Sequence, residues 1–183
     1  MHINLKTERM PGRGPGACAK KGFGFQPNYL YGLDDLCKKF VNRQSTVLEI
    51  GGHRGVSTSL LCEYAKSVIS LDPDHWPEMQ KLVESTDNLS FYKDKSWKYI
   101  PKIKEEGLKF DFIYIDGDHR YFAAIRDIRL SLTILKDGGI LAGHDMNPHD
   151  HGVLRAVNEV FPEIRDGSTI LHRFSDSSWA IEI

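Results

Sequence analysis

The sequence has few cysteines, and those it has are scattered. Cys18, Cys37 and Cys62 form an odd set with wide spacing. This pattern excludes a disulfide framework and does not have the paired spacing of a zinc site. Cys62 falls within an apolar helical pattern and is predicted to be a small buried residue.

The sequence also lacks an excess of either charge. It has 24 Lys and Arg against 25 Asp and Glu, a formal net charge of -1, so nothing in its overall field attracts nucleic acid or an anionic membrane. No apolar stretch is long enough to cross a bilayer, and residues 1–25 have no apolar signal-peptide core. We therefore expect a cytoplasmic protein whose partner is a small molecule, with neither nucleic acid nor membrane as a partner. A homodimer stays open.

The length of 183 residues fits one domain. Residues 1–28 are rich in Gly, Pro and Lys and show no periodicity, which favours an irregular arm. Two interpretations of this arm stay open: a disordered tail, or a lid that becomes ordered over a bound ligand. Residues 29–183 are predicted to form the folded domain.

Strand patterns alternate with helix patterns through most of residues 29–183. Such alternation predicts an α/β domain with helices on both faces of a parallel sheet. Residues 169–174 and 178–183 have the pattern of a closing hairpin. We expect a single Rossmann-like domain with a seven-stranded, mostly parallel sheet, in which only the edge strand of a C-terminal antiparallel hairpin runs in the opposite direction.

The most informative segment is TVLEIGGHRGVST, residues 46–58. It joins a β-branched strand to a helix through glycines, and in such sheets ligands bind beyond the carboxyl ends of the strands. The next strand ends at Asp72, about 20 residues beyond the turn, which is the usual place for a carboxylate that holds ribose hydroxyls. The candidate cofactor-binding residues here are Glu49, Gly51, Gly52, His53, Gly55, Ser57, Asp72 and Pro73.

The turn differs from the phosphate-binding motifs. It lacks the G-x-G-x-x-G spacing of dinucleotide sites and the Gly-Lys-Ser/Thr of triphosphate sites. Glu49 lies just before the glycines, and an acidic turn repels phosphate but suits the ammonium and sulfonium charges of S-adenosylmethionine (SAM).

With these features the sequence resembles the class I SAM-dependent methyltransferases. VLEIGGHRGVST is similar to their first motif, VISLDPD to their second, and FYKDKSWKYIP to the segment that flanks adenine. The resemblance covers residues 46–183 and implies that Asp72 binds the ribose. It also implies that Asp94, Ser96 and Trp97 lie beside the base and that Asp116 borders the cofactor.

Acidic and imidazole groups follow two neighbouring strands of the predicted sheet. FDFIYI is followed by Asp116, Asp118 and His119, and ILAG by His144 and Asp145. Carboxylates brought together repel each other unless a proton or a cation neutralises them. A divalent ion such as Mg²⁺ takes oxygen ligands and keeps sites for substrate.

These segments resemble the metal-dependent O-methyltransferases of the catechol and caffeoyl-CoA type. IDGDHRYFAAIRDI and LKDGGILAGHDM are closer still to the compact branch found in sugar and natural-product pathways. The resemblance implies metal ligands at Asp116, His144 and Asp145, although the relatives carry an oxygen ligand where this chain has His144. Mg²⁺ or another divalent cation is therefore expected.

The resemblance also places a basic catalytic group at His119, with Asp116 and Asp145 as further catalytic residues. An imidazole can accept a hydroxyl proton near neutral pH. The expected function is SAM-dependent methylation of a hydroxyl on a small molecule such as a sugar or a phenol. The alternatives are a non-catalytic SAM-binding module and a nicotinamide-linked oxidoreductase on a similar sheet.

Overall fold

A seven-stranded sheet runs through the middle of the protein. The structure is a computed structural model that describes residues 30–147 and 151–183, so the predicted arm, residues 1–28, lies outside it. The strands lie in the order β3-β2-β1-β4-β5-β7-β6. They are β1 (Thr46–Ile50), β2 (Ser67–Asp72), β3 (Leu89–Lys93), β4 (Phe110–Ile115), β5 (Leu135–Gly143), β6 (Leu171–Arg173) and β7 (Trp179–Glu182).

Helices cover both faces of this sheet, as predicted. The described residues contain α1 (Tyr31–Phe40), α2 (Val56–Tyr64), α3 (Pro77–Glu84), α4 (Ser96–Glu105), α5 (Tyr121–Leu132), α6 (His151–Val160) and a 3₁₀ turn at Pro162–Ile164. Helices α1, α2 and α3 contribute to one hydrophobic cluster, and α4, α5 and α6 to a second. Within residues 30–147 and 151–183 no helix is both long and apolar enough to span a membrane.

The near-continuous apolar run of β4 follows from its burial on both sides. Phe112 and Tyr114 pack into the cluster with α1–α3, whereas Ile113 and Ile115 pack into the cluster with α4–α6. A strand covered on both faces needs apolar residues at every position rather than at alternate ones.

The C-terminal hairpin is confirmed, and it fills one edge of the sheet. Strands β1 to β5 pair in parallel, while β7 pairs antiparallel to both β5 and β6. The reversed strand is therefore β7, second from the edge, and not the edge strand as the sequence led us to expect; the edge strand β6 runs parallel to β5 because two reversals restore the direction.

The parallel strands end in register at one edge. Ile50 pairs with Leu71 and with Ile115, and Ile115 pairs with Gly143. The segments after β1, β2, β4 and β5 consequently leave the sheet side by side, which gathers the predicted site residues at this edge.

Candidate functional site

The turn between β1 and α2 approaches the neighbouring strand end very closely. Gly51 has φ +96° and donates its backbone N–H to the Leu71 carbonyl at 2.7 Å. A Cβ at Gly51 would lie 2.1 Å from the Asp116 carbonyl oxygen, and one at Gly52 would lie 2.1 Å from Ser70 Oγ. At Gly51 only glycine fits, because a side chain would collide with the backbone that follows β4; at Gly52 a side chain would displace Ser70 and Met79.

The Glu49 side chain is buried beneath the turn instead of facing solvent. Its side chain is fully buried and accepts hydrogen bonds from Ser57 Oγ (2.6 Å), Thr58 Oγ1 (2.5 Å) and Ser70 Oγ (2.6 Å). Burial raises the pKa of Glu49, and the three hydroxyl donors oppose that shift. Glu49 thus fastens the start of α2 to β1 and β2.

Asp72, at the end of β2, holds two backbone segments. Its Oδ2 accepts the His53 N–H at 2.8 Å and its Oδ1 accepts the Asp74 N–H at 2.8 Å. His53 itself has φ +45°, a conformation that few side chains adopt. The Asp72 carboxylate therefore fixes the turn after β1 against the loop after β2.

A cleft of about 790 Å³ opens in front of these loops, a size typical of small-molecule sites. It brings together ten of the twelve residues that the sequence pointed to as cofactor-binding: Gly51, Gly52, His53, Ser57, Asp72, Pro73, Asp94, Ser96, Trp97 and Asp116. Glu49 and Gly55 do not line it, because Glu49 faces its hydroxyl donors and Gly55 packs against Leu82.

The cleft has polar walls that sequence reasoning missed. Arg54, Arg120, Arg126 and Asp127 line it, and none of them is among the cofactor-binding candidates named from the sequence. Asp127 is 3% exposed on the buried side of α5. Its signal in the sequence is a lone acid among Ala124, Ile125 and Ile128.

Asp116, His144 and Asp145 come together beside the cleft. One potential ligand atom from each side chain lies within 4.8 Å of the other two. His144 Nδ1 is 3.2 Å from Asp145 Oδ1 and 3.7 Å from Asp116 Oδ1. Asp145 has φ +58°, a strained backbone conformation of the kind that clusters at functional sites.

Burial and the close approach of the three charged groups shift their pKa values. Burial raises the pKa of Asp116 to about 7, with Asp145 and Glu49 adding to the shift and His144 opposing it. Burial disfavours a charged His144, but its hydrogen bond with Asp145 and the charge of Asp116 raise its pKa to about 9. The hydrogen bond with His144 lowers the pKa of Asp145.

The donor set fits a divalent cation. Two carboxylates and one imidazole converge from the ends of β4 and β5, and the net charge of the three side chains is negative when the imidazole is neutral. The imidazole makes Mn²⁺, Fe²⁺ or Zn²⁺ more natural occupants than Mg²⁺.

His119 lies next to this cluster, not inside the main cleft. Its Nδ1 is 2.5 Å from Asp145 Oδ2, and its side chain is 53% exposed. It lines a small cavity that shares Asp116, Gly117 and Asp118 with the main cleft. Asp118 is engaged elsewhere, since hydrogen bonds from Arg120 lower its pKa to about 2.

Comparison with known proteins assigns the family. Residues 48–146, more than half of the chain, match a family described as a methyltransferase domain. The chain therefore belongs to this methyltransferase family, and its sheet is that of the class I SAM-dependent enzymes. A curated relative, Uncharacterized protein R132 of Acanthamoeba polyphaga mimivirus, is 26% identical in an alignment of 156 residues, and the match covers 78% of this chain and 71% of the relative.

Solved structures share the fold at low identity. An rRNA methylase from Streptococcus thermophilus has a TM-score of 0.61 at 16% identity, with 85% of this chain and 96% of that chain covered. An O-methyltransferase from Bacillus cereus in complex with S-adenosylhomocysteine (SAH) has a TM-score of 0.63 at 16% identity, covering 82% and 79%. MycE of the mycinamycin biosynthetic pathway, in complex with Mg and SAH, has a TM-score of 0.62 at 17% identity, covering 87% and 50%. The chain thus spans about half the length of MycE, and about half that of a matched Streptococcus mutans structure.

Proposed function

We propose that this methyltransferase transfers a methyl group from SAM to a hydroxyl of a small molecule, assisted by a divalent cation. The main support for this proposal is that the cleft and the candidate cation site adjoin each other. The cleft and the cluster of Asp116, His144 and Asp145 have the residue Asp116 in common. A methyl donor in the cleft would therefore lie beside a cation that binds a hydroxyl oxygen.

The proposed cofactor site follows from the chemistry of the cleft walls. Gly51 and Gly52 let the protein backbone come close to a ligand, and Asp72 offers carboxylate lone pairs to ribose hydroxyls. The hydroxyl hydrogen of Ser57 points to Glu49, so Ser57 presents lone pairs to a ligand. Such an acceptor suits an ammonium group.

His119 is the proposed general base. In the transfer, the bond between the methyl carbon and the sulfonium sulfur breaks as the carbon–oxygen bond forms, and the hydroxyl proton passes to the base. Asp145 holds His119 through Nδ1, which leaves Nε2 to accept that proton. A cation held by Asp116, His144 and Asp145 would lower the hydroxyl pKa and orient the oxygen.

The charge of the chain favours a small acceptor over RNA. Some of the structural neighbours are rRNA methylases, but this chain has a formal net charge of -1 and an acidic cluster at the site. RNA binding needs a basic surface that neutralises phosphates. The cluster suits an uncharged or cation-bridged hydroxyl compound.

The cation is tested by two measurements on the same protein. Mn²⁺ binding is followed by electron paramagnetic resonance, and transfer of labelled methyl from SAM is followed over a panel of phenols and sugars. Asp145→Asn is expected to weaken Mn²⁺ binding by about 10-fold or more. Asp118→Asn, a nearby carboxylate outside the ligand set, is the matched control and should keep wild-type Mn²⁺ affinity.

The same transfer assay distinguishes the proposed metal-assisted enzyme from a metal-independent enzyme and from a non-catalytic SAM-binding module. EDTA should abolish transfer, and added divalent ions should restore it. Full activity in EDTA would contradict the metal site, and SAM binding without transfer to any acceptor would favour a non-catalytic module.

A further inference from the structure

One buried carboxylate that lines the cleft, Asp127, has no part in the proposed methyl transfer. Asp127 lies on α5 and is 3% exposed, on a helix face otherwise packed into the apolar core. Burying a carboxylate is costly unless partners satisfy its oxygens. Each of its two oxygens is therefore expected to have a hydrogen-bond partner.

Only one oxygen is engaged by the part of the chain that the structure describes. Ser96 Oγ donates to Asp127 Oδ1 at 2.7 Å, and Arg126 Nε lies 3.3 Å from the same oxygen. No hydrogen bond to Oδ2 occurs among these residues, and Asp127 lines the cleft. Burial raises the pKa of Asp127, as expected for a carboxylate whose partners compensate it incompletely.

The residues around Asp127 indicate which part of a bound nucleoside would lie next to its carboxylate. Asp72 marks the proposed ribose position, and the wall beyond it is formed by Asp94, Ser96 and Trp97 after β3 and by Gly117 after β4. A Cβ at Gly117 would lie 3.9 Å from Asp127 Oδ2, which puts that oxygen next to this wall. The base of a bound nucleoside would lie here.

We propose that Asp127 selects the base of the cofactor: its Oδ2 accepts a hydrogen bond from the exocyclic amino group of adenine. The proposal rests on the proposed function, since it assumes SAM in the cleft. A carboxylate is an acceptor only. An aminopurine offers it an N–H, whereas an oxopurine would set an oxygen lone pair against it and leave both groups unpaired.

The test compares two ligands by isothermal titration calorimetry. One is SAH, and the other is its analogue in which an oxo group replaces the exocyclic amino group of the base. Wild-type protein should bind SAH at least about 10-fold more tightly than the analogue.

Asp127→Asn should reverse the chemistry at this position. Ser96 and Arg126 both donate to the Oδ1 position, so they hold the amide oxygen there and turn the amide NH₂ toward the base. SAH should then bind more weakly and the analogue more tightly. The ratio of the two affinities is expected to fall by about 10- to 100-fold.

Asp34→Asn is the matched control. Asp34 is also a buried helical carboxylate, 5% exposed, that pairs with one hydroxyl, Tyr64, and one cation, Lys38. It lies outside the residues that line the cleft, so this substitution should leave the affinity ratio unchanged. A second variant, Asp127→Ala, removes both carboxylate oxygens and should lower the affinity ratio by about 10-fold, which keeps the test available even if Asp127→Asn does not fold.

The outcomes distinguish this inference from the proposed function. Equal weakening of both ligands by Asp127→Asn, or an unchanged preference for SAH in Asp127→Ala, would overturn the assignment to Asp127. Failure of the wild-type protein to bind either ligand would overturn the proposed function itself.

Discussion

At the scale of single residues, the site depends on carboxylates that serve different partners. Glu49 binds three hydroxyls and Asp118 binds Arg120, whereas Asp72 holds two backbone N–H groups and Asp116 belongs to the cluster with His144 and Asp145. The sequence pointed to all four without separating these roles, because the partner of a carboxylate depends on which strand end lies opposite. Asp127 was missed for the same reason, since its partner Ser96 is 31 residues away.

Asp72→Ala is expected to weaken SAH binding. The change removes the proposed partner of the ribose hydroxyls and the acceptor that fixes the His53 and Asp74 backbone N–H groups. Charged hydrogen bonds of about 1.5–3 kcal/mol correspond to a loss of roughly 10- to 100-fold in affinity, measured by calorimetry. Asp74→Ala removes an exposed acid from the same cleft and should cost less than about fivefold. Equal losses in the two variants would mean that only the overall charge of the cleft matters.

At the scale of elements, the turn between β1 and α2 places Gly51 and Gly52 at the cleft but not Glu49 or Gly55. The glycines predicted to admit a ligand are required first by the protein itself, because Gly51 touches the Asp116 backbone and Gly52 touches Ser70. The strands and the hairpin were predictable because burial imposes apolar patterns along them. The position of the reversed strand β7 was not, since pairing order depends on contacts between distant segments.

Gly51→Ala should destabilise the protein more than a comparable change elsewhere. Gly107 also has a positive φ, +73°, but a Cβ there would meet nothing within 4 Å. Gly107→Ala should therefore cost only the conformational penalty of about 1–2 kcal/mol. Gly51→Ala adds a collision with backbone and should lower the free energy of unfolding by about 3 kcal/mol or more. Urea denaturation measures both, and equal losses would show that the close approach at Gly51 is readily relieved.

At the scale of the whole molecule, the parallel sheet explains why distant residues form one site. Asp72, Asp116 and Asp145 are far apart in the chain, yet each follows a strand whose carboxyl end lies at the same edge. The fold class and most of the cleft could be predicted, because ligands generally bind at the carboxyl ends of the strands in such sheets. The methyl acceptor could not, because its binding surface depends on loop conformations that periodicity does not encode.

The central claim is that the cleft binds an adenosyl cofactor, and direct titration tests it. Purified protein is titrated with SAH and, separately, with NAD in a calorimeter. We expect one SAH per chain and no heat of binding from NAD. Because a ligand that binds only the folded state stabilises it, SAH at 100 times its Kd should add about 2.7 kcal/mol to the free energy of unfolding. NAD binding without SAH binding, or no binding of either, would contradict the account.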